Sequence, residues 1–486
     1  MLAWLSKLPA PILYVASVAI EKSFALVTIP LMAAYLTPES YGYFDVAVAL
    51  SEVVILIVGL GLTEQLIRFA STAGSEKDEA RVAGEIMGCA LCIALLGAAL
   101  ALLSGPLIKT ILSLQVSLPA LQFMLVGACL NNLIVLPMAW LRLRDDARGY
   151  LRVVVARTLC QVGGISIALI SGYGADGVLI SNGLVLTVFS VWLMFNQAKH
   201  TPFFISRDRF LQIGSYGAPL LGAMLAMFLL GSANRLFLAQ SVNPEVMGQF
   251  GLASRLALAT ALLLYPLELW WLPKRIAILK QQDGLQRSAD VWGLAVAILI
   301  ISATGVALLA PIFISAFLPV AFVGAIALLP FLVLTESLHA VAGLTEVGSY
   351  ARDTGYRVLL IDVSGAVVAV VGFYALIPIY GAHGAIAAVA MAQLVRIVGY
   401  VFDGRTLAPI SYRWVRCISC AVVAALFIRF APAASDYLAG IAWTALATVS
   451  LLGVVVATGL VRISAFTDGL RGFSQTSQVV AEPNHS

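Results

Sequence analysis

With 486 residues, 61% of them hydrophobic and only 11% charged, the chain lies far from the roughly 25% charged composition of ordinary soluble domains. A mean hydropathy of +0.98 and a net charge of only +4 exclude a water-soluble domain and a nucleic-acid partner, and they leave an integral membrane protein. Barrel-type alternation is absent, so the expected fold is all-α.

The apolar material falls into runs of about 20 residues, each long enough at about 1.5 Å per residue to cross a hydrocarbon core of roughly 30 Å. In chain order the predicted spans lie near 11–36, 42–62, 83–105, 115–140, 150–172, 176–196, 212–238, 248–271, 290–318, 322–345, 357–378, 384–403, 413–432 and 437–462, which makes fourteen. The first run is too long for the apolar part of a signal peptide and no small-residue cleavage site follows it, so it reads as a retained helix. Lys and Arg gather at alternate connections, among them Lys77, Arg81, Arg142, Arg144, Arg148, Arg152, Lys274, Arg275 and Lys280, while the other set holds only Lys109, Arg235 and Arg429. Basic residues mark cytoplasmic loops, which places both termini in the cytoplasm. No connection exceeds about 20 residues, too short for a folded domain outside the bilayer. The polar tail beyond Arg471 reads as disordered.

Two connections on the outer face share a pattern. "TPESYGYFDVA" (37–47) and "NPEVMGQFGLA" (243–253) match at five of eleven positions without a gap. In each, a cap-forming residue (Thr37, Asn243) precedes a proline suited to the first helical position (Pro38, Pro244) and an acid in the first turn (Glu39, Glu245). Gly42 and Gly248 follow, where a missing side chain permits close backbone approach. Pro-Glu starts also recur by chance. The offset of 206 residues, however, carries span 1 onto span 7 and span 2 onto span 8, an even number apart. Two six-helix halves of the same orientation follow, a symmetry that transporters use. The expected organisation is an N-lobe over 1–205 (helices 1–6), a C-lobe over 206–408 (helices 7–12), helices 13–14 over 409–463 and a cytoplasmic tail over 464–486.

The stretches "YLTPESYGYF" and "GLTEQLIR", ending at Arg68, together with the two-lobe plan, resemble the polysaccharide-transporter branch of the MOP flippases, the Wzx-like proteins. The architectural likeness covers nearly the whole chain, and the specific motif covers residues 35–70. The resemblance implies a cavity between lobes and passage of an undecaprenyl diphosphate-linked oligosaccharide from the cytoplasmic to the periplasmic leaflet of a bacterial inner membrane. It implies a pathway making O-antigen, capsule or exopolysaccharide, with polymerase and chain-length proteins as partners.

The charges support a polar interior independently. An ionisable group at mid-membrane costs about 2.5–3.5 kcal/mol on insertion scales, and at least ten lie inside the predicted spans. Helical spacing aligns Tyr14, Ser17, Glu21 and Thr28 on helix 1, Asp45 and Glu52 on helix 2, and Arg157, Gln161 and Gly164 on helix 5. Helix 10 aligns Glu336, His339, Gly343 and Glu346, and helix 12 aligns Gln393, Arg396, Tyr400 and Asp403. A water-filled path explains these stripes, and the alternative is a set of neutralised pairs gluing helices together. Arginine suits a diphosphate because its planar fork makes two parallel hydrogen bonds. Lys22, Arg157, Arg235, Arg255, Arg396 and Gln393 are therefore the cargo-binding candidates. Glu21, Asp45, Glu52, Glu336, His339 and Asp362 are the candidates for coupling to an H⁺ or Na⁺ gradient, with Glu268 also inside a span.

The pairs Cys89/Cys92 and Cys417/Cys420 lie in apolar helices, where they read as small core residues rather than a metal site. Three function classes remain. The first is the lipid-linked oligosaccharide flippase; the second is another cargo on the same fold, either lipid II or a drug exported by a MATE-type cation-coupled transporter. The third is a membrane polymerase or ligase, for which a large periplasmic loop is expected and absent, so no enzymatic activity is expected.

Overall fold

The computed structural model describes residues 10–351, 356–406 and 408–461, with the side chains of 10, 11, 22–26, 269, 273 and 351 left aside. The expected tail at 464–486 and the side chain of Lys22 lie outside the described residues. Among the described residues there is no strand, and the chain divides into two compact units, Met1–Gly251 and Leu252–Ser486.

The first unit opens with α1 (Ala10–Tyr35), α2 (Pro38–Gly59), α3 (Leu62–Ser71), α4 (Glu76–Ile111), α5 (Leu118–Leu130) and α6 (Asn132–Leu143). It continues through α7 (Ala147–Ile170), α8 (Gly174–Ala198), α9 (Arg207–Gly231), α10 (Asn234–Leu238) and the first half of α11 (Pro244–Ala257). The starts follow local chemistry. Thr37 Oγ1 accepts from the Ser40 amide at 3.2 Å with Pro38 in the first turn, and Ser75, Ser117, Asp146 and Ser206 cap α4, α5, α7 and α9 in the same way.

Between α2 and α3 the helix breaks. Leu60 (φ 43°) and Gly61 (φ 62°) both adopt left-handed backbone, which frees the Leu60 carbonyl from its helical partner. The fully buried Gln65 side chain donates to that carbonyl at 2.9 Å. Gly217 of α9 packs against the same carbonyl, a contact that a Cβ would block.

The connection from α8 to α9 is fastened down as well. Gly84 and Gly88 on α4 lack side chains where the Pro202 and Phe204 carbonyls press in, and the Phe204 amide donates to Gly84 O at 3.4 Å. Arg209 then pairs with Glu85 at 2.9 Å.

The second unit continues from α11 through α12 (Ala259–Leu262), α13 (Tyr265–Leu279), α14 (Gly284–Phe317), α15 (Ala325–Thr345), α16 (Tyr356–Tyr380) and α17 (Ala382–Arg405) to α18 (Trp414–Arg429) and α19 (Tyr437–Ala457). The last two helices are held to the 34-residue α14. Arg413 pairs with Asp290 of α14 and donates to Leu460 O at 2.6 Å, just past the end of α19. Arg416 donates to Gly459 O at 2.6 Å, so two guanidinium groups meet carbonyls just past the C-terminal end of α19, where cations are favoured. Trp292, Tyr412 and Trp414 stack beside them with ring centroids 4.9–5.8 Å apart.

Among the described residues eleven helices are long and apolar enough to cross a membrane, or twelve if the bent pair Pro244–Leu262 and Tyr265–Leu272 is one span. α1 and the 16-residue α18 fall outside that test. Length and composition among the described residues thus support eleven or twelve of the fourteen expected spans, and α1 and α18 lie at the expected spans 11–36 and 413–432.

Candidate functional site

Within the first unit, one polar track runs across α1, α7 and α8. Arg157 of α7 donates through Nη2 to Glu21 of α1 at 2.6 Å, with side chains 16% and 46% exposed. Further along α7, Gln161 donates to Asn182 of α8 at 3.2 Å. Gly164 then faces Ser181, where a Cβ would collide with the hydroxyl. Glu21 and Arg157 both lie near the middle of their helices, about 16 Å and about 15 Å from the N-terminal ends at 1.5 Å per residue. Inside a bilayer, a carboxylate half-exposed at mid-helix would need water or a polar cargo beside it.

A second site joins α2 to α10 and α11. Gly42 and Gly248 meet backbone to backbone. A Cβ on Gly42 would lie 2.5 Å from Pro244 O and 2.9 Å from the Gly248 amide, and one on Gly248 would collide with the Pro38 carbonyl. One turn further along α2, Asp45 is 1% exposed, pairs with Arg235 of α10 at 2.8 Å and lies beneath Gly251 of α11. The two stretches that share the Pro-Glu-x-x-Gly pattern are thus in direct contact, with a buried ion pair next to the contact.

In the second unit the expected stripes of helices 10 and 12 converge with α16 into one network. Arg396 is 2% exposed; its Nε donates to Asp362 Oδ1 at 2.8 Å and its Nη1 to Gln393 Oε1 at 2.7 Å. Tyr400 donates to the same Asp362 oxygen at 2.6 Å, and the Gln393 amide contacts His339 Nδ1 at 3.1 Å. Nearer the basic end, Arg275 pairs with Glu346 at 2.7 Å and Arg357 with Asp403 at 3.3 Å. Arg396 and Asp362 thus satisfy each other within the protein, which describes a helix-joining pair as well as it describes a binding site. Removing one partner of such a pair costs about 3–5 kcal/mol, because the other charge is left buried.

Of the remaining candidates, Glu52 of α2, Arg255 of α11 and Glu336 of α15 are half-buried. Pro38 is buried, while Glu39 and Glu245 are exposed at the helix starts. Sequence reasoning missed the Glu85–Arg209 and Asp290–Arg413 pairs, whose members lie far apart in the chain, and the Gln65 plug. Two of the three had a signal: the Gly84-x-x-x-Gly88 spacing on α4 for the first pair, and the glycines on either side of Leu60 for the plug.

The family description "Polysaccharide biosynthesis protein" matches residues 11–270. Among solved structures, the lipid II flippase MurJ in an inward closed conformation superposes with a TM-score of 0.74 at 13% identity, covering 91% of this chain and 98% of that one. An inward-facing multidrug resistance MATE family transporter of the MOP superfamily superposes at 0.57 with 16% identity, covering 81% and 97%. The MATE multidrug transporter DinF-BH superposes at 0.55 with 14% identity, covering 81% and 96%. No curated protein matches the sequence. The resemblance drawn from 35–70 and the helical plan therefore holds: the chain belongs to the polysaccharide biosynthesis protein family and has the fold of the MOP superfamily transporters.

Proposed function

We propose that this chain is a flippase that carries an undecaprenyl diphosphate-linked oligosaccharide from the cytoplasmic to the periplasmic leaflet of a bacterial inner membrane, by alternating access, for polysaccharide biosynthesis. The observation that carries the reading is the mid-helix polar track Glu21–Arg157–Gln161–Asn182. It offers a guanidinium for a phosphate and amides for sugar hydroxyls, on a family background of polysaccharide biosynthesis. The contact of Gly42 with Gly248 and the Asp45–Arg235 pair serve, on this reading, as the outer closure while cargo loads from the cytoplasm. Arg235 then acts in closure rather than in cargo binding. Coupling to H⁺ or Na⁺ would fall to Glu336 or to the Asp362–His339 network, and polymerase and chain-length proteins would act downstream.

The test is Arg157→Gln in a host carrying the chain's own pathway. Surface polymer should fall at least tenfold and lipid-linked repeat units should accumulate at the inner leaflet, at normal protein level. Reporters after Arg148 and Lys280 should be cytoplasmic, and those near Pro38 and Pro244 periplasmic. Normal polymer in a strain lacking the chain altogether would reject the function, and a cytoplasmic reporter at Pro38 would reverse the direction.

A further inference from the structure

We infer that Glu21 is a resident stand-in for the phosphate: it occupies Arg157 when the site is empty, the cargo's diphosphate displaces it, and its return expels the diphosphate. This rests on the proposed flippase reading and adds the release step to it.

Three features of the pair support an exchange over a fixed link. First, most of the guanidinium's donors do not reach Glu21. Of its five N–H donors, one reaches Glu21, and the Nε–H is buried without an acceptor among the described residues. A buried donor without an acceptor is an orphan that a second anion can satisfy, and a phosphate takes the fork through two parallel hydrogen bonds where Glu21 holds one. Second, the exposures are unequal. Arg157 is held at 16% exposure while Glu21 is 46% exposed, so the carboxylate can swing away into the open side while the arginine stays fixed. In contrast, both members of the Arg396–Asp362 and Asp45–Arg235 pairs are at most 12% exposed. Third, an arginine left uncompensated at mid-membrane is costly. A cavity that must exist empty as well as loaded therefore needs a counter-ion that the cargo can replace. A diphosphate bears more charge than one carboxylate, so displacement is favoured while the headgroup is held, and once the site opens outward the returning carboxylate competes for the arginine and speeds the headgroup's departure.

The experiment measures binding by the full-length protein in nanodiscs to three probes: undecaprenyl diphosphate, inorganic pyrophosphate and undecaprenol. Glu21→Gln keeps shape and removes the competitor. It should tighten undecaprenyl diphosphate by about three- to tenfold, the range set by freeing a partly buried ion pair, and should slow export, since the expelling group is gone. Arg157→Gln should weaken diphosphate binding at least tenfold, and Glu21→Gln added to it should give no further change. If Glu21→Gln folds poorly, Glu21→Asp withdraws the carboxylate from the arginine and should shift affinity in the same direction by less. Pyrophosphate showing the same gain assigns the recognition to the diphosphate rather than the lipid, and a gain shared by undecaprenol overturns the exchange. Unchanged or weaker diphosphate binding by Glu21→Gln, with Arg157→Gln still defective, overturns the exchange and leaves the flippase reading standing. Full binding by Arg157→Gln removes Arg157 from the cargo site and the flippase reading loses its carrying observation.

Discussion

Adding one methyl group at Gly248 should unbalance the transport cycle. A Cβ there lies 2.6 Å from the Pro38 carbonyl carbon, 3.1 Å from the Gly42 amide nitrogen, and nearer still to the Pro38 oxygen. All of these are backbone atoms at capped helix starts, so no side-chain rotation relieves the overlap. Ordinary contact begins at 3.4 Å, and α2 and α11 must part by at least about 1 Å to reach it. Overpacking of this kind costs about 1–3 kcal/mol. If the contact exists in one limb of an alternating cycle and is absent in the other, the same energy shifts the populations about 5- to 150-fold against the closed outer end. The assay places cysteines at Ser40 and Val246 in a background lacking the six native ones and follows their crosslinking. Gly248→Ala should slow crosslinking at least fivefold and reduce export. Gly42→Ala should do the same, and the double variant should add less than the sum because both methyl groups press on one contact, and parting the helices for one makes room for the other. Unchanged crosslinking and export at normal protein level would refute the closure.

Two further outcomes follow from the packing. Arg396→Met should lower Tm and protein level by stranding Asp362, at about 3–5 kcal/mol, and Asp362→Leu added to it should restore both in part; a single variant as stable as the parent would return Arg396 to the list of cargo ligands. Gly88→Val should lift the 201–206 connection off α4. Cys89, buried where its thiol meets Ser206 O at 3.9 Å, should then react with maleimide at least ten times faster, and an unchanged rate would show that the connection is held by other contacts.

What the sequence disclosed depended on the range of the interactions involved. Thr37-Pro38-Glu39 announces a helix start because caps are made within one turn, and the structure has that start at Pro38. The polar stripes on helices 10 and 12 are legible for the same reason, since 3.6-residue periodicity is local. Which stripe meets which is not local. Arg396 stands out equally as a phosphate ligand and as half of an ion pair until Asp362, 34 residues away, is placed 2.8 Å from it. The break at Leu60 illustrates a further limit. A non-glycine residue in left-handed backbone carries no composition signal of its own, and the span 42–62 reads as one continuous helix until Gln65 is found closing the gap. Span number is set at the other extreme, since α18, at 16 residues, is shorter than the helices on either side of it although the predicted span 413–432 falls on it.

The interior candidates are nearly balanced, Lys22, Arg157, Arg235, Arg255 and Arg396 against Glu21, Asp45, Glu52, Glu268, Glu336 and Asp362, and that balance takes on a different meaning once partners are assigned. Counted along the chain, acids and bases almost cancel, which argues against a strongly cationic cavity. In the structure two of these cancel pairwise, Asp45 with Arg235 and Asp362 with Arg396, and Glu346–Arg275 and Glu85–Arg209 form further pairs with bases outside that set. Each of these pairs has both side chains no more than 17% exposed, so its charges are spent on holding helices and contribute little field to a cavity. Glu21–Arg157 departs from that pattern, with one partner nearly half exposed. A weakly charged total is therefore compatible with specific capture of a diphosphate, provided the capturing arginine keeps a counter-ion it can exchange. Selectivity on this view comes from how few cations are left exchangeable. An added interior lysine with no acid beside it should broaden the anions bound rather than tighten the cargo.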